Sequence, residues 1–167
     1  LSHIGCDETG SGDFFGPLCV VACYIDERDY DWLMSLNIRD PKLMTPQEVI
    51  DIAREIKDRL VYSLLILDNS HYNQMAVAGN NLANIKAKLY NQAVTNVMQK
   101  VAIKVDKKVV NQFVSPKTYY NYLKSEVIVV KDLSFEQKGE EQYFAIMCSS
   151  ILSKYAFYQY FNNMSRS

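Results

Sequence analysis

No stretch of this chain is apolar for long enough to cross a bilayer, and its first residues lack the pattern of a secretion signal. A membrane is therefore not an expected partner, and the expected location is cytoplasmic. An excess of charge of one sign is missing too: 18 Lys and Arg stand against 19 Asp and Glu, a formal net charge of -1. A strongly basic global field is excluded, so any contact with nucleic acid has to rest on local patches. Histidine is scarce, with only His3 and His71, and the cysteines are Cys6, Cys19, Cys23 and Cys148. Cys19 and Cys23 share one face of an extended strand. A zinc cluster usually takes a second Cys or His pair, which these histidines do not supply. Buried free thiols are the expectation instead. No repeat, low-complexity tract or linker divides the sequence, so residues 1–167 read as one domain.

What is present is an ordinary globular balance, 49% hydrophobic and 22% charged. HIGCDE reads as a strand ending in acids, and PLCVVACYID as a second, strongly apolar strand. Thr45-Pro46-Gln47-Glu48 is a capping box with Pro at the first helical position. The helix that follows sets Val49, Ile52, Ile56 and Leu60 on one face. VYSLLILD reads as a third strand, buried on both faces. A long helix is predicted from Asn81 to Val101, a fourth strand at KKVVNQF, and a short helix at SPKTYYNYLK. EVIVVKDLSF reads as a further strand, followed by a long buried helix through GEEQYFAIMCSSILSKYAFYQYF. This order predicts an α/β chain with a mixed sheet. The abrupt start inside a strand is expected of a fragment.

One stretch carries chemistry: Asp7-Glu8-Thr9-Gly10-Ser11-Gly12-Asp13-Phe14-Phe15-Gly16-Pro17. Adjacent strand residues point to opposite faces, so Asp7 and Glu8 converge only if the strand ends or bends there. Gly10 and Gly12 supply the bend and allow a ligand close to the backbone. Hard oxygen ligands without His or Cys suit Mg²⁺ or Mn²⁺. A solvated acidic turn is the other reading, and composition does not separate the two.

IGCDETGSGDFFGPLCVVACYI resembles the first strand pair of the type 2 ribonucleases H, in the form of the bacterial ribonuclease HIII branch. Three further segments agree in order. IRDPKLMT is similar to that family's Asp-Ser-Lys-Lys-Leu-Thr segment. NNLANIKAKLYNQA is similar to its Asn-Leu-Asn-x-Ile-Lys-Ala helix. QKGEEQYFAIMCSSILSKYAF is similar to its Lys-Ala-(Asp/Glu) segment and Ala-Ser-Ile-Ile-Ala-Arg helix.

The resemblance implies a ribonuclease H-like fold, a central mixed β-sheet flanked by helices. It implies cleavage of the RNA strand of an RNA–DNA hybrid by a monomer, through two metal ions, Mg²⁺ or Mn²⁺, leaving 3′-hydroxyl and 5′-phosphate ends. Asp7 and Glu8 would be the first two metal ligands. Gly10, Ser11 and Gly12 would lie against ribose 2′-hydroxyls. Glu140 would be the last acid, with Glu141 and then Glu136 behind it, and Lys138 would touch phosphate or hold the acids. Asn84 or Lys88 would meet the DNA strand. Lys42 has two open readings, a phosphate contact and a solvated surface lysine.

The sequence departs from the family at Asn111, where an Asp is expected. An amide oxygen can face a metal but brings no charge. The catalytic and metal set that the resemblance implies is thus Asp7, Glu8, Asn111 and Glu140, with impaired cleavage. Asn111 is either an engineered substitution or natural divergence. Pro41 and Leu43 replace a Ser and a Lys of the family pattern. The resemblance also implies a small N-terminal substrate-binding domain and a C-terminal extension, neither present in these residues. Two rivals stand beside the enzyme: a hybrid-binding module that no longer cleaves, and a metal-dependent phosphohydrolase on an unrelated α/β fold.

Overall fold

A computed structural model describes residues 1–11 and 16–166. The expected contacts at Gly12, and the Asp13–Phe15 run that follows it, lie outside the described residues.

β1 (His3–Thr9) is the middle strand of a five-stranded sheet. β2 (Leu18–Ile25) pairs with it antiparallel, and β3 (Val61–Leu67) pairs antiparallel with β2 at the edge. On the other side β4 (Lys107–Asn111) and β5 (Ser134–Glu136) add in parallel, giving the order β3-β2-β1-β4-β5. The sheet is mixed, as the sequence order predicts.

β2 is buried along its whole length because both sheet faces are covered. Its residues 18, 20, 22 and 24 pack toward α4 (Leu82–Lys100), with Ile85, Tyr90, Ala93 and Val97. Val21, Cys23 and Ile25 pack on the other face against α2 (Pro46–Ile56) and α6 (Phe144–Arg166). The four cysteines are buried thiols within these layers. Gly5 is where α6 crosses closest: a Cβ there would lie 2.6 Å from the Ile146 backbone nitrogen.

Thr45 caps α2 in a full capping box with Glu48, as its sequence dictates. The buried face of α2 differs slightly from the prediction: Val49, Ala53 and Ile56 go inward, while Ile52 is half-buried.

Two strand expectations are corrected. β3 is not buried on both faces: as the edge strand it exposes Val61, Leu64 and Ile66. The run Glu126–Phe135 is mostly not strand, since β5 begins at Ser134. The reason lies on α4. The Asn91 side chain donates to the Ile128 carbonyl at 2.7 Å and accepts from the Val130 N–H at 3.0 Å. One amide thus satisfies backbone groups that a neighbouring strand would otherwise take. Val127 and Ile128 are left exposed.

α1 (Tyr30–Ser35), α3 (Asn69–Val77) and α5 (Pro116–Tyr122) complete the helices named here. Among the described residues no helix is long and apolar enough to cross a membrane.

Candidate active site

The ends of β1 and β4 and the turn before α6 meet in a cleft. It is lined by Asp7, Glu8, Asp40, Lys42, Asn111 and Glu140, with Ser150 and Lys154 from α6. β1 and β4 run parallel with Cys6 opposite Val110, so Asp7 and Asn111 follow side by side at the strand ends. A 3-10 turn at Gly139–Glu141 brings in Glu140, which is 5% exposed. Glu141 is exposed, and Glu136 bonds Tyr143 and pairs with Lys107. Of the three acids considered for this place, Glu140 is the one in the cleft.

The strand does not bend between the first two acids. β1 continues through Thr9, so Asp7 and Glu8 take opposite faces of the sheet and reach the cleft from either side of β1. The turn comes after them, at Gly10, whose φ is +84°. A Cβ on Gly10 would collide with the Pro17 carbonyl oxygen and lie 2.9 Å from Phe157. Glycine is needed there for conformation and for space.

Glu8 faces α4. Lys86 Nζ sits 2.6 Å from Glu8 Oε1, and the buried Tyr90 hydroxyl donates to Glu8 Oε2. Phe113 backs both partners, 4.4 Å from the Lys86 ammonium and 5.0 Å from the Tyr90 ring. Burial works to raise the Glu8 pKa, but bonds from Asp7, Lys86 and Tyr90 outweigh it and hold the carboxyl below its usual range. Asp7 goes the other way. Burial first, then the Glu8 charge, push its carboxyl well above the usual range.

Asn111 is the joint of the cleft. Its Oδ1 accepts from the Gly139 N–H at 3.1 Å. Its Nδ2 donates to Glu140 Oε2 at 3.0 Å and reaches Asp7 Oδ2 at 3.4 Å. In this arrangement the amide oxygen is engaged by backbone, and the side-chain N–H donors face the acids.

The carboxylates have the chemistry of a site for Mg²⁺ or Mn²⁺. The amide does not fit, because it offers hydrogens where a ligand lone pair is required. Among the described residues, no three His, Cys, Asp or Glu side chains gather closely enough to hold a metal ion.

The remaining sequence candidates are spread around this centre. Lys42 Nζ lies 3.3 Å from Glu140 Oε1, and that carboxylate raises the Lys42 pKa. Lys138, in left-handed conformation at φ 53°, lines an adjoining hollow with Lys42, Asn111 and Glu140. Ser11 is half-buried beside the turn. Lys88 is committed to Asn80 Oδ1 at 3.0 Å. Asn84 sits in the first turn of α4, its Oδ1 buried without a partner. Neither Asn84 nor Lys88 lines the cleft. Sequence reasoning missed Tyr90, Ser150 and Lys154, and gave Lys86 no contact with Glu8. Lys86 and Tyr90 are four apart on one helix face, a spacing that could have paired them.

The ribonuclease HII family model matches residues 4–167. A ribonuclease HIII of Bacillus cereus is 39% identical over 168 residues, covering 99% of this chain and 54% of that protein. A ribonuclease HIII of Bacillus anthracis is 38% identical with the same coverage. A crystal structure of Bst-RNase HIII in complex with Mn²⁺ superposes with a TM-score of 0.95 at 27% identity, covering 99% of this chain and 55% of that one. The chain spans about half the length of the curated relatives it matches. The expected ribonuclease H-like sheet is therefore the fold observed, and the unrelated phosphohydrolase fold is set aside. The chain belongs to the ribonuclease HII family, and the relatives it matches here carry the name ribonuclease HIII.

Proposed function

We propose that this chain is the catalytic core of an endoribonuclease acting on the RNA strand of RNA–DNA hybrids with Mg²⁺ or Mn²⁺, and that Asn111 impairs it. Membership of the ribonuclease HII family and the Mn²⁺ complex of a structural neighbour support the reaction class. The observation that carries the impairment is the orientation of Asn111, with donors toward Asp7 and Glu140.

A divalent cation, when bound, would supply positive charge and lower the pKa of a water bound to it. Asp7, Glu8 and Glu140 would hold it, drawn closer together than they stand in this structure. Lys86 and Tyr90 fix the Glu8 carboxylate from behind, and Lys42 orients Glu140. The turn at Gly10 directly follows Thr9, which lines the cleft, and a backbone turn there suits reading of a 2′-hydroxyl. Asn111 leaves the site one anion short and ties two of its acids together. The same bonds favour a second reading, a hybrid-binding module that does not cut.

Cleavage of a labelled RNA–DNA hybrid with Mn²⁺ tests both, comparing this chain with Asn111→Asp and using double-stranded DNA as control. The Asp variant is expected to cut hybrid and spare DNA. The chain as it stands should be slower by about 100-fold or more, equivalent to about 2.7 kcal/mol of barrier. Equal rates would contradict the role given to Asn111. Binding by both without cleavage by either would mean either that cleavage needs segments outside these residues or that the module reading is right.

A further inference from the structure

β3 closes one side of the sheet, and β2 is its only strand partner among the described residues. Edge strands are usually protected by a charge, a proline, a bulge or a cover. β3, VYSLLIL, has neither charge nor proline along its length. Its pairing with β2 runs without a bulge from Leu18 opposite Leu67 to Tyr24 opposite Val61. Val61, Leu64 and Ile66 are exposed, Ile66 by 48%. Among the described residues one side chain bonds the β3 backbone: Lys100 Nζ donates to the Tyr62 carbonyl at 2.8 Å.

The apolar surface continues from this edge onto one face of the sheet. Tyr62, Leu64 and Ile66 line a groove of about 220 Å³ together with Leu152, Tyr155 and Ala156 of α6. The groove shares no lining residue with the cleft.

The strand is complementary to itself. Set antiparallel to a second β3 across a two-fold axis at Leu64, it brings the two Leu64 side chains together. Tyr62 of each copy then lies opposite Ile66 of the other, and Val61 opposite Leu67. Aromatic and β-branched pairs of this kind stabilise sheets. The charges lie beyond the strand ends. Lys57 and Asp58 pair with each other, and Arg59, which also holds Asp29, follows them. Asp68 stands at the far end, bonded to His71. The two-fold pairing carries Asp68 of each copy to Leu60 of the other, beside Arg59.

We propose that the β3 edge is the interface of a two-fold symmetric dimer of this chain, in which the sheets of two copies join through antiparallel β3 strands and their grooves adjoin at the axis. Such an interface uses the same patch on both copies and so closes at two. It departs from the monomer that the resemblance implies, and it stands independently of the reading of the cleft. A single strand pair is a small contact, so a Kd on the order of 10 µM is expected.

Sedimentation velocity from about 1 to about 300 µM tests it, with one chain per particle expected at the low end and two at the high end. Leu64→Lys sets two like charges at the axis and should weaken association by at least about 30-fold, as should Leu64→Glu. An equimolar mixture of these two variants should dimerise again, because unlike charges then meet. Melting temperatures of the separate variants show whether they fold. Amide hydrogen exchange of the unsubstituted chain adds a test free of substitution: the amides of β3 should exchange more slowly at the high concentration.

One chain per particle at the highest concentration overturns the proposal. So does a dimer that Leu64→Lys leaves intact, growth beyond two copies, or β3 exchange that ignores concentration while a dimer forms. Two folded variants whose mixture stays monomeric overturn the axis at Leu64, and with it the interface.

Discussion

The Asn111 side-chain nitrogen donates to Glu140 Oε2 at 3.0 Å, joining the end of β4 to the turn before α6. The same nitrogen reaches Asp7, and the oxygen of the same amide holds the Gly139 N–H. One neutral side chain thus joins three segments. It also lets two buried carboxylates sit close without a cation between them.

Asn111→Asp is expected to destabilise the metal-free protein. Two donors to buried acids are lost and a third negative charge is added. The cost is on the order of 3 kcal/mol, which for a chain of this size lowers the melting temperature by roughly 6–12 °C. Calorimetry in chelator gives the number, and an unchanged melting temperature would remove the amide's structural role.

Tyr90→Phe leaves Glu8 with Lys86 as its charged partner and removes a bond from a fully buried hydroxyl. Hydrogen bonds to charged groups are worth about 1.5–3 kcal/mol, so urea unfolding should show a loss in that range. A loss below about 0.5 kcal/mol would mean that Lys86 alone positions Glu8.

Gly5→Ala places a methyl group 2.6 Å from the Ile146 backbone nitrogen, where α6 crosses β1. Strand and helix have to separate to admit it, at a cost of about 1–3 kcal/mol. The cleft residues of α6 should move with the helix. Denaturant titration of Gly5→Ala checks the stability term, and wild-type stability would contradict the close crossing.

His3 gives the fold a pH dependence. Its Nε2 accepts from the Ala145 N–H at 3.0 Å, and the ring is 2% exposed. Tyr30, Tyr143 and Lys107 surround it. Burial holds its pKa below 6.5. The unfolded chain therefore takes up a proton near pH 6.5 that the folded chain refuses. Stability from this group is full above that pH and is lost as pH falls from 6.5 toward the folded pKa, by at most about 1.4 kcal/mol per unit. His3→Gln keeps an acceptor for Ala145 and should melt with a weaker dependence between pH 7 and 5. Parallel curves for the two proteins would refute this.

Much of the frame was legible in the sequence because its signals are local. The capping box at Thr45, the apolar run of β2 and the turn at Gly10 each depend on near neighbours. α3 was not legible, since none of its residues is buried and no apolar period marks it. The Val127–Val130 run has strand composition, yet the distant Asn91 amide satisfies it instead. In the site, the Asp-Glu pair and the odd Asn111 could be found by pattern. The direction of the Asn111 amide could not, because it is set by the Gly139 N–H across the fold. The Lys86–Glu8 pair likewise joins α4 to β1 through tertiary packing.

The most direct test is calorimetric titration of Mn²⁺ into this chain and into Asn111→Asp at pH 7. The account predicts that the Asp variant binds at least about tenfold more tightly, a difference of about 1.4 kcal/mol or more. Equal affinity in the two proteins would show that the Asn111 amide does not stand in the way of the metal, and would contradict the account at its centre.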